Sequence, residues 1–332
     1  MHSDWKNRFS EAQSKGHAVV YWFLPDAEEP GFCESEQAFV WDFQSTGSTE
    51  FVFAPFDLQQ YPALVIGRKE GAEAKFQLTA PQLASAEQYQ AVVANMVAAI
   101  QAKQFQKLVG ARAEGMPSLR DAFAHFDALC IKHPNAFRYI LYSPQTGLWM
   151  GASPELLLKK EGQQIQTVAL AGTQKASQEA WSDKEMEEQE FVVSYIKTVL
   201  GPLSDRLEIS EKETWHSGHL LHLINRYTAQ IKAGTSLETV VKALHPTPAV
   251  AGLPKQEAIE FIRSAEGFDR SYYSGFVGPV KGEQASFYVN LRCLQILEKA
   301  FRYAGAGLTA HSDPEKEWLE TAEKMKVVSS LS

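Results

Sequence analysis

Two short acidic repeats carry paired carboxylates at a spacing that a helix would put on one face. Glu185 and Glu188 stand three apart in Lys184-Glu185-Met186-Glu187-Glu188-Gln189, and Glu317 and Glu320 do the same in Glu317-Trp318-Leu319-Glu320-Thr321. Residues three apart on a helix are surface neighbours. Two such faces brought together would crowd like charges unless a cation lay between them, and all-oxygen ligation suits Mg²⁺ or Mn²⁺. The plainer reading is a pair of solvated helix faces with Lys184, Lys316 and Lys324 as ordinary neighbours, and spacing alone favours it.

Other single residues carry similar pairs of readings. Lys107 lies in the short apolar stretch Phe105-Gln106-Lys107-Leu108-Val109-Gly110. In a partly dry site its pKa would fall and it could act as a general base; on an edge strand it would guard against aggregation. Arg292 falls inside an expected apolar strand, Val289-Asn290-Leu291-Arg292-Cys293-Leu294. A buried Arg needs an anionic partner, which a ligand carboxylate or an internal Asp or Glu supplies equally well. The alternate glycines of Ala304-Gly305-Ala306-Gly307 strip side chains from one strand face, for a ligand's approach or for a bulge. His216, His219 and His222 have the look of a metal motif, but strand residues three apart point to opposite faces, so one of them at most faces a site. The sequence contains no nucleophile elbow, Walker loop or dinucleotide glycine motif.

The elements that must position these residues are legible as periodicity. Short strands are expected at Val19–Leu24, Phe39–Phe43, Phe51–Phe56 and Ala63–Gly67, separated by Pro, Gly, Ser and Thr. Apolar residues at helical spacing predict helices over Ala84–Lys103 and Leu119–Ile131, flanking a strand at Phe105–Ala113. Strands follow at Phe137–Tyr142, Leu148–Ala152, Glu155–Lys160 and Gln164–Leu170, then a charged helix over Gln178–Leu200 and a strand over His219–Ile231. Helices are expected at Leu237–Leu244 and Pro254–Ser264, strands at Gly275–Lys281, Gln284–Ile296 and Lys299–Leu308, and a last helix over Pro314–Ser330. Runs of strands interspersed with helices point to α+β with mostly antiparallel pairing.

The bulk composition sets outer limits. At 45% hydrophobic residues the chain can bury a substantial core, yet no run of about 18 apolar residues is present to span a membrane. Net charge −8 argues against general binding to nucleic acid or anionic membranes. The three cysteines are far apart and the N-terminus has no apolar leader, so a cytoplasmic protein with free thiols is expected.

Several stretches fall in a distinctive order after Lys107: Gly151-Ala152-Ser153-Pro154-Glu155-Leu156-Leu157, Leu170-Ala171-Gly172-Thr173, Lys184 to Val193, His245-Pro246-Thr247-Pro248-Ala249-Val250, Arg270 to Gly275, Ala304 to Gly307 and Glu317 to Lys324. In that order they resemble the chorismate-utilising family, which comprises isochorismate, salicylate, anthranilate and aminodeoxychorismate synthases. The resemblance runs from about Lys107 to Lys324. It implies one chorismate-binding α+β domain over 1–332, with a variable part over about 1–100 and a motif-bearing catalytic part over about 101–330. The implied fold is two large, mostly antiparallel sheets stacked face to face with helices outside.

Carried over by motif, Glu188 and Glu320 look like the principal Mg²⁺ ligands, with Glu185 and Glu317 close by or acting through water. Gly172, Thr173, Ala249, Tyr273, Arg292, Gly305, Gly307 and Lys324 match substrate-contacting positions, and His222 matches the family's active-site histidine. Lysine at 107 and alanine at 171 look like the branch that adds water, not ammonia, with Lys107 as base and Glu155 as acid. The product implied is isochorismate, for menaquinone or a catecholate siderophore. Salicylate synthesis is the alternative, which Ala249 disfavours, and a silent chorismate-binding protein is a third reading. No glutaminase subunit is expected, and the chain is expected to be a monomer. Gln189 stands where the family commonly has His, and Gly110, Ala251 and Gln174-Lys175 also depart from its pattern.

Overall fold

The computed structural model describes residues 4–117, 119, 121–175, 180–217 and 220–329. Its apolar runs pair into two large sheets, and every ladder between the described strands is antiparallel. In spatial order the first sheet runs Gly252–Leu253, Lys107–Met116, Ala300–Leu308, Cys293–Ile296, Gly147–Ser153, Phe137–Ser143, Ala18–Phe23 and Gly31–Ser35. The second runs Ser204–Ile209, Leu220–Ile231, Gln164–Lys175, Leu156–Glu161, Gln284–Val289, Phe276–Lys281, Glu50–Ala54, Leu64–Ile66 and Phe39–Val40, with Glu213–Ser217 also on Leu220–Ile231.

The inner faces meet through large rings, which bury more apolar area per residue than any other side chain. Phe53 of the second sheet lies 5.6 Å from Trp149 of the first, and Phe137 stacks on Tyr288 at 4.4 Å between ring centroids. Helices cover the outer faces. Val192, Ile196 and Leu200 of the helix Asp183–Leu200 and Val240, Val241 and Leu244 of Leu237–Leu244 pack on the second sheet. Trp5 and Phe9 of Asp4–Ser14 pack on the first sheet with Phe126 and Leu129 of Ala122–Lys132. The fold is the expected α+β arrangement of two stacked antiparallel sheets with helices outside.

Most expected elements are present within a few residues of their anticipated ends, and the differences have identifiable causes. The single strand expected over Gln284–Ile296 is two strands in different sheets, Gln284–Val289 and Cys293–Ile296. Between them Arg292 takes φ +48°, a left-handed conformation that ends a strand. Arg292 is therefore at a crossing between sheets and not inside a strand. The charged helix begins at Asp183, because Glu185 accepts hydrogen bonds from the Ser182 backbone N–H and hydroxyl and so fixes the helix start there. The last helix ends at Met325 and tightens into a 3₁₀ turn over Lys326–Val328; Ser330 lies outside the described residues. His219, expected to begin a strand, also lies outside them, and the strand is described from Leu220. The helix Asp4–Ser14 was not anticipated: only Trp5, Phe9 and Ala12 of its eleven residues are buried, too sparse a stripe to stand out in a polar segment.

Candidate active site

Two chain crossings between the sheets run side by side and build the floor of a cleft. The first leaves the strand Gly147–Ser153, passes Pro154 and Glu155, and enters Leu156–Glu161. The second leaves Gln284–Val289, passes Asn290 to Arg292, and enters Cys293–Ile296. They are tied together by Val289 N–H donating to Glu155 O at 2.9 Å, Ala152 N–H to Arg292 O at 3.1 Å, and the Ser153 hydroxyl to Val289 O at 2.5 Å. Asn290 adds a third segment, donating from Nδ2 to Tyr272 O at 2.9 Å and from its backbone to Gly275 O at 2.8 Å. Glu155, Arg292 and Tyr273, far apart in sequence, thereby line one cavity.

The same cavity is lined by Gly172, Thr173, Glu188, His222, Ala249, Gly305, Gly307 and Lys324. Gly172 has φ +70° at a register shift in the ladder with Leu220–Ile231, and a Cβ there would sit 3.1 Å from Glu185 Cβ, so glycine lets the strand pass the helix start. His222 Nδ1 lies 3.1 Å from Gly172 O and 3.2 Å from Thr173 Oγ1, and its Nε2 lies 3.2 Å from Arg292 Nη2. Burial, with the cations Arg292 and Lys324 beside it, holds the His222 pKa well below its usual value, so the ring is neutral. The Arg292 guanidinium therefore faces a histidine in place of a buried carboxylate, and its Nη1 is buried with no hydrogen-bond partner among the described residues. An orphaned donor of this kind fits an anionic ligand group. His216 is exposed and takes no part.

Lys107 does not line the cavity but stands directly behind it. Its side chain is fully buried and Nζ donates to Glu188 Oε1 at 3.1 Å. This is no edge lysine: its strand is flanked by Ala300–Leu308 on one side and by Gly252–Leu253 on the other. Burial lowers the Lys107 pKa, against the opposing pull of Glu188. Glu155 is pushed the other way. Burial raises its carboxyl to about 8, over the opposing influence of Lys107, Lys324 and Arg292. Glu188 is driven up by burial and more strongly down by Lys107, Lys184 and Lys324, reaching about 2.

The free volume of the cavity is about 70 Å³, well short of the ~300 Å³ at which small-molecule pockets usually begin. The Glu188 carboxylate is what fills it: a Cβ on Gly307 would lie 1.9 Å from Glu188 Oε1. Thr173 also borders a second, wider cavity of about 590 Å³, which is lined by Lys184, Glu185, Glu317 and Glu320. Glu185, Glu317 and Glu320 thus share the wider cavity while Glu188 lines the narrow one, and the four do not form a ready-made cage. Among the described residues no three acidic, His or Cys side chains converge on one metal position. The reason is that each is engaged: Glu185 caps its own helix, Glu188 takes Lys107, Glu317 takes Lys184 at 2.6 Å, and Glu320 takes Lys324 at 2.7 Å. Their chemistry nonetheless fits a divalent cation. Glu317 Oε2 is buried without a well-formed hydrogen bond among the described residues, and burial first, then the neighbouring Glu320, raises the Glu317 carboxyl to about 7 against Lys184 and Ser312.

A residue that motif spacing undervalued is Lys184, which lies among the glutamates and not on a solvated face. The available signal was its position in the first turn of a helix, where a cation opposes the helix dipole and needs a tertiary reason to be there.

A family profile described as chorismate binding enzyme matches residues 58–331. This chain belongs to the chorismate binding enzyme family. Among members, isochorismate synthase MenF of Pasteurella multocida is 35% identical over 212 residues, 59% of this chain and 49% of that one. Isochorismate synthase EntC of Escherichia coli is 31% identical over 222 residues, 63% of this chain and 57% of that one. The chain thus spans about half the length of the curated relatives it matches. The solved structure of MenF, the menaquinone-specific isochorismate synthase from Escherichia coli, aligns with a TM-score of 0.81 at 22% identity over 96% of this chain and 90% of that one. This establishes the chorismate binding enzyme fold. No helix among the described residues is long and apolar enough to cross a membrane.

Proposed function

We propose that this chain is an isochorismate synthase, converting chorismate to isochorismate with Mg²⁺. The observation that carries the reading is a carboxylic acid kept protonated at neutral pH in the lining of a buried cleft, with a lysine of lowered pKa directly behind it. Two groups displaced in opposite senses are what an acid and a base on opposite sides of a reacting ring require. Lys107 Nζ takes a proton from water as that water forms a bond to C2. Glu155 gives its proton to the departing C4 oxygen, the ring double bonds shift, and one water leaves for the one that entered. Arg292, through the unpaired Nη1, and Lys324 receive the substrate's carboxylates, and neutral His222 steadies Arg292 from the other side. Gly305 and Gly307 leave room for the ring, which enters once the Glu188 carboxylate withdraws from Gly307.

Glu188 and Glu320 would hold the cation, with Glu185 and Glu317 beside them. When bound, Mg²⁺ supplies positive charge against the carboxylate at C1 of chorismate. Lysine at 107 together with alanine at 171 supports water as the nucleophile, and so no glutaminase subunit is required. We take the enzyme to be a cytoplasmic monomer.

The test is chromatography of the products formed from chorismate and Mg²⁺, with and without an ammonium salt. Isochorismate, unaffected by ammonium, is the expected result. Salicylate with pyruvate would place the chain in the lyase branch, and an ammonium-dependent amino product would overturn the assignment of Lys107.

A further inference from the structure

We propose that Lys184 is the built-in counter-ion of the glutamate cluster, occupying it until a divalent cation displaces the ammonium group. The proposal rests on the reading of this cluster as the metal site. Lys184 Nζ lies 2.6 Å from Glu317 Oε1 and 3.7 Å from Glu320 Oε2, and so bridges two carboxylates one turn apart on the C-terminal helix Pro314–Met325. Those oxygens are the ones a cation at this end of the cleft would need.

Three features argue that the ammonium group is a place-holder and not a permanent strut. First, it leaves the cluster incompletely satisfied. The Glu317 side chain is 2% exposed and, although the Ser312 side chain is near its carboxylate, Oε2 makes no well-formed hydrogen bond among the described residues. A buried carboxylate oxygen left unpaired is costly, and an ammonium group on a tether cannot cover both oxygens of Glu317 while also reaching Glu320. A divalent ion, which gathers six or more oxygens, can. Second, Lys184 gains nothing from its own helix. It is the second residue of Asp183–Leu200, at the positive end of the dipole, where a lysine is disfavoured. The carboxylates opposite are the compensating interaction. Third, it has somewhere to go. Unlike Lys107, which is fully enclosed, the Lys184 side chain is 19% exposed and borders the cavity of about 590 Å³.

The pairing agrees. Lys184 stands against Glu317, and Lys324 against Glu320. Both carboxylates of the C-terminal helix thus have an internal cation. A dication taking the Glu317 and Glu320 oxygens would meet the Lys184 ammonium group there unless that group withdrew, and the Lys184 side chain borders the wider cavity into which it can move. Metal affinity is then set by competition with the protein's own side chain.

The experiment uses the full chain and Mn²⁺ as probe. Mn²⁺ affinity is measured by calorimetry or spin resonance, and Tm is measured with and without the ion, for the wild type, Lys184→Met, Lys184→Arg and Glu320→Gln. Lys184→Met keeps the aliphatic stem and removes the competitor. It is expected to bind Mn²⁺ about tenfold more tightly, since an unpaired carboxylate pair is left waiting for a cation, to show a lower Tm without metal, and to gain more in Tm on adding it. Lys184→Arg is expected to return affinity to the wild-type value. Equal or weaker binding by Lys184→Met, with wild-type binding lost in Glu320→Gln, would overturn the counter-ion role while leaving the metal site standing. Absence of Mn²⁺ binding in the wild type would remove both.

Discussion

Glu155 illustrates how a single carboxyl is tuned by its position. It occupies the break between two strands, is 3% exposed, and has three cations in its field, yet burial prevails and its pKa rises from 4.5 to about 8. Two consequences can be measured. Turnover requires the protonated form, so kcat should fall as pH rises through about 8, and Glu155→Gln should lose activity by at least ~10²-fold. Stability moves with the same proton. Between pH 4.5 and about 8 the folded chain binds a proton that the unfolded chain has released, so stability declines as pH rises across that window and is not regained above it. Glu155→Gln carries no such penalty, so its Tm should exceed the wild type's at pH 9 and converge with it near pH 4. A Tm difference independent of pH would sink this account. Lys107→Gln, which keeps a hydrogen-bond donor for Glu188, should also lose ~10²–10⁴ in kcat while calorimetry finds a cooperative unfolding transition. Near-normal turnover in that variant would refute the base assignment.

Elements set the precision of the cleft. The strand Ala300–Leu308 presents glycines where the helix Asp183–Leu200 delivers Glu188, and the fit leaves no room for a methyl group at 307. Gly307→Ala should therefore force the Glu188 carboxylate aside and cut turnover by more than tenfold, as expected when catalytic groups shift by about 1 Å, with the Mg²⁺ requirement moved to higher concentration. An unaltered Mg²⁺ dependence would show that Glu188 is not a ligand. At the start of the same helix, the Ser182–Glu185 cap costs about 1 kcal/mol when lost. Ser182→Ala should register as that loss in a urea titration. It removes one of the two donors to the Glu185 carboxylate and leaves the backbone N–H of residue 182, so Mn²⁺ affinity should not weaken.

At the scale of the whole molecule, the helices Asp4–Ser14 and Ala122–Lys132 cover the first sheet without contributing a residue to the cleft. Trp5 packs on Tyr21, Phe123 and Phe126 with ring centroids 5.1 to 5.6 Å apart, in a cluster that includes none of the site residues. Trp5→Ala should cost about 3–5 kcal/mol by creating a cavity, lowering Tm while kcat at 20 °C below the new Tm stays within twofold, as independent sites require. A large loss of kcat in that variant would mean that the two sheets are coupled more tightly than their separate clusters imply.

What the sequence determined by itself was the set of elements and the identities of the chemical groups. Alternation and helical spacing are local properties, so most strands and helices from Ala18 to Met325 could be read from neighbours along the chain, and the family's blocks marked Glu155, His222, Lys324 and the glutamates before any geometry was known. Tertiary structure decided everything that depends on where the chain changes sheets. The run from Gln284 to Ile296 reads as one apolar strand because both halves are buried, and only the left-handed turn at Arg292 sends them into different layers. Burial of Lys107, the neutral state of His222, the orphaned Nη1 of Arg292 and the diversion of Glu185 to a helix cap are likewise products of distant segments meeting. The same holds for Lys184: the sequence gives its charge and its place on a helix, but the carboxylates it answers to belong to a helix some 130 residues further on, at a separation of 133 from Glu317. Electrostatic environment is a property of space and not of chain order, so it was the last thing to become readable.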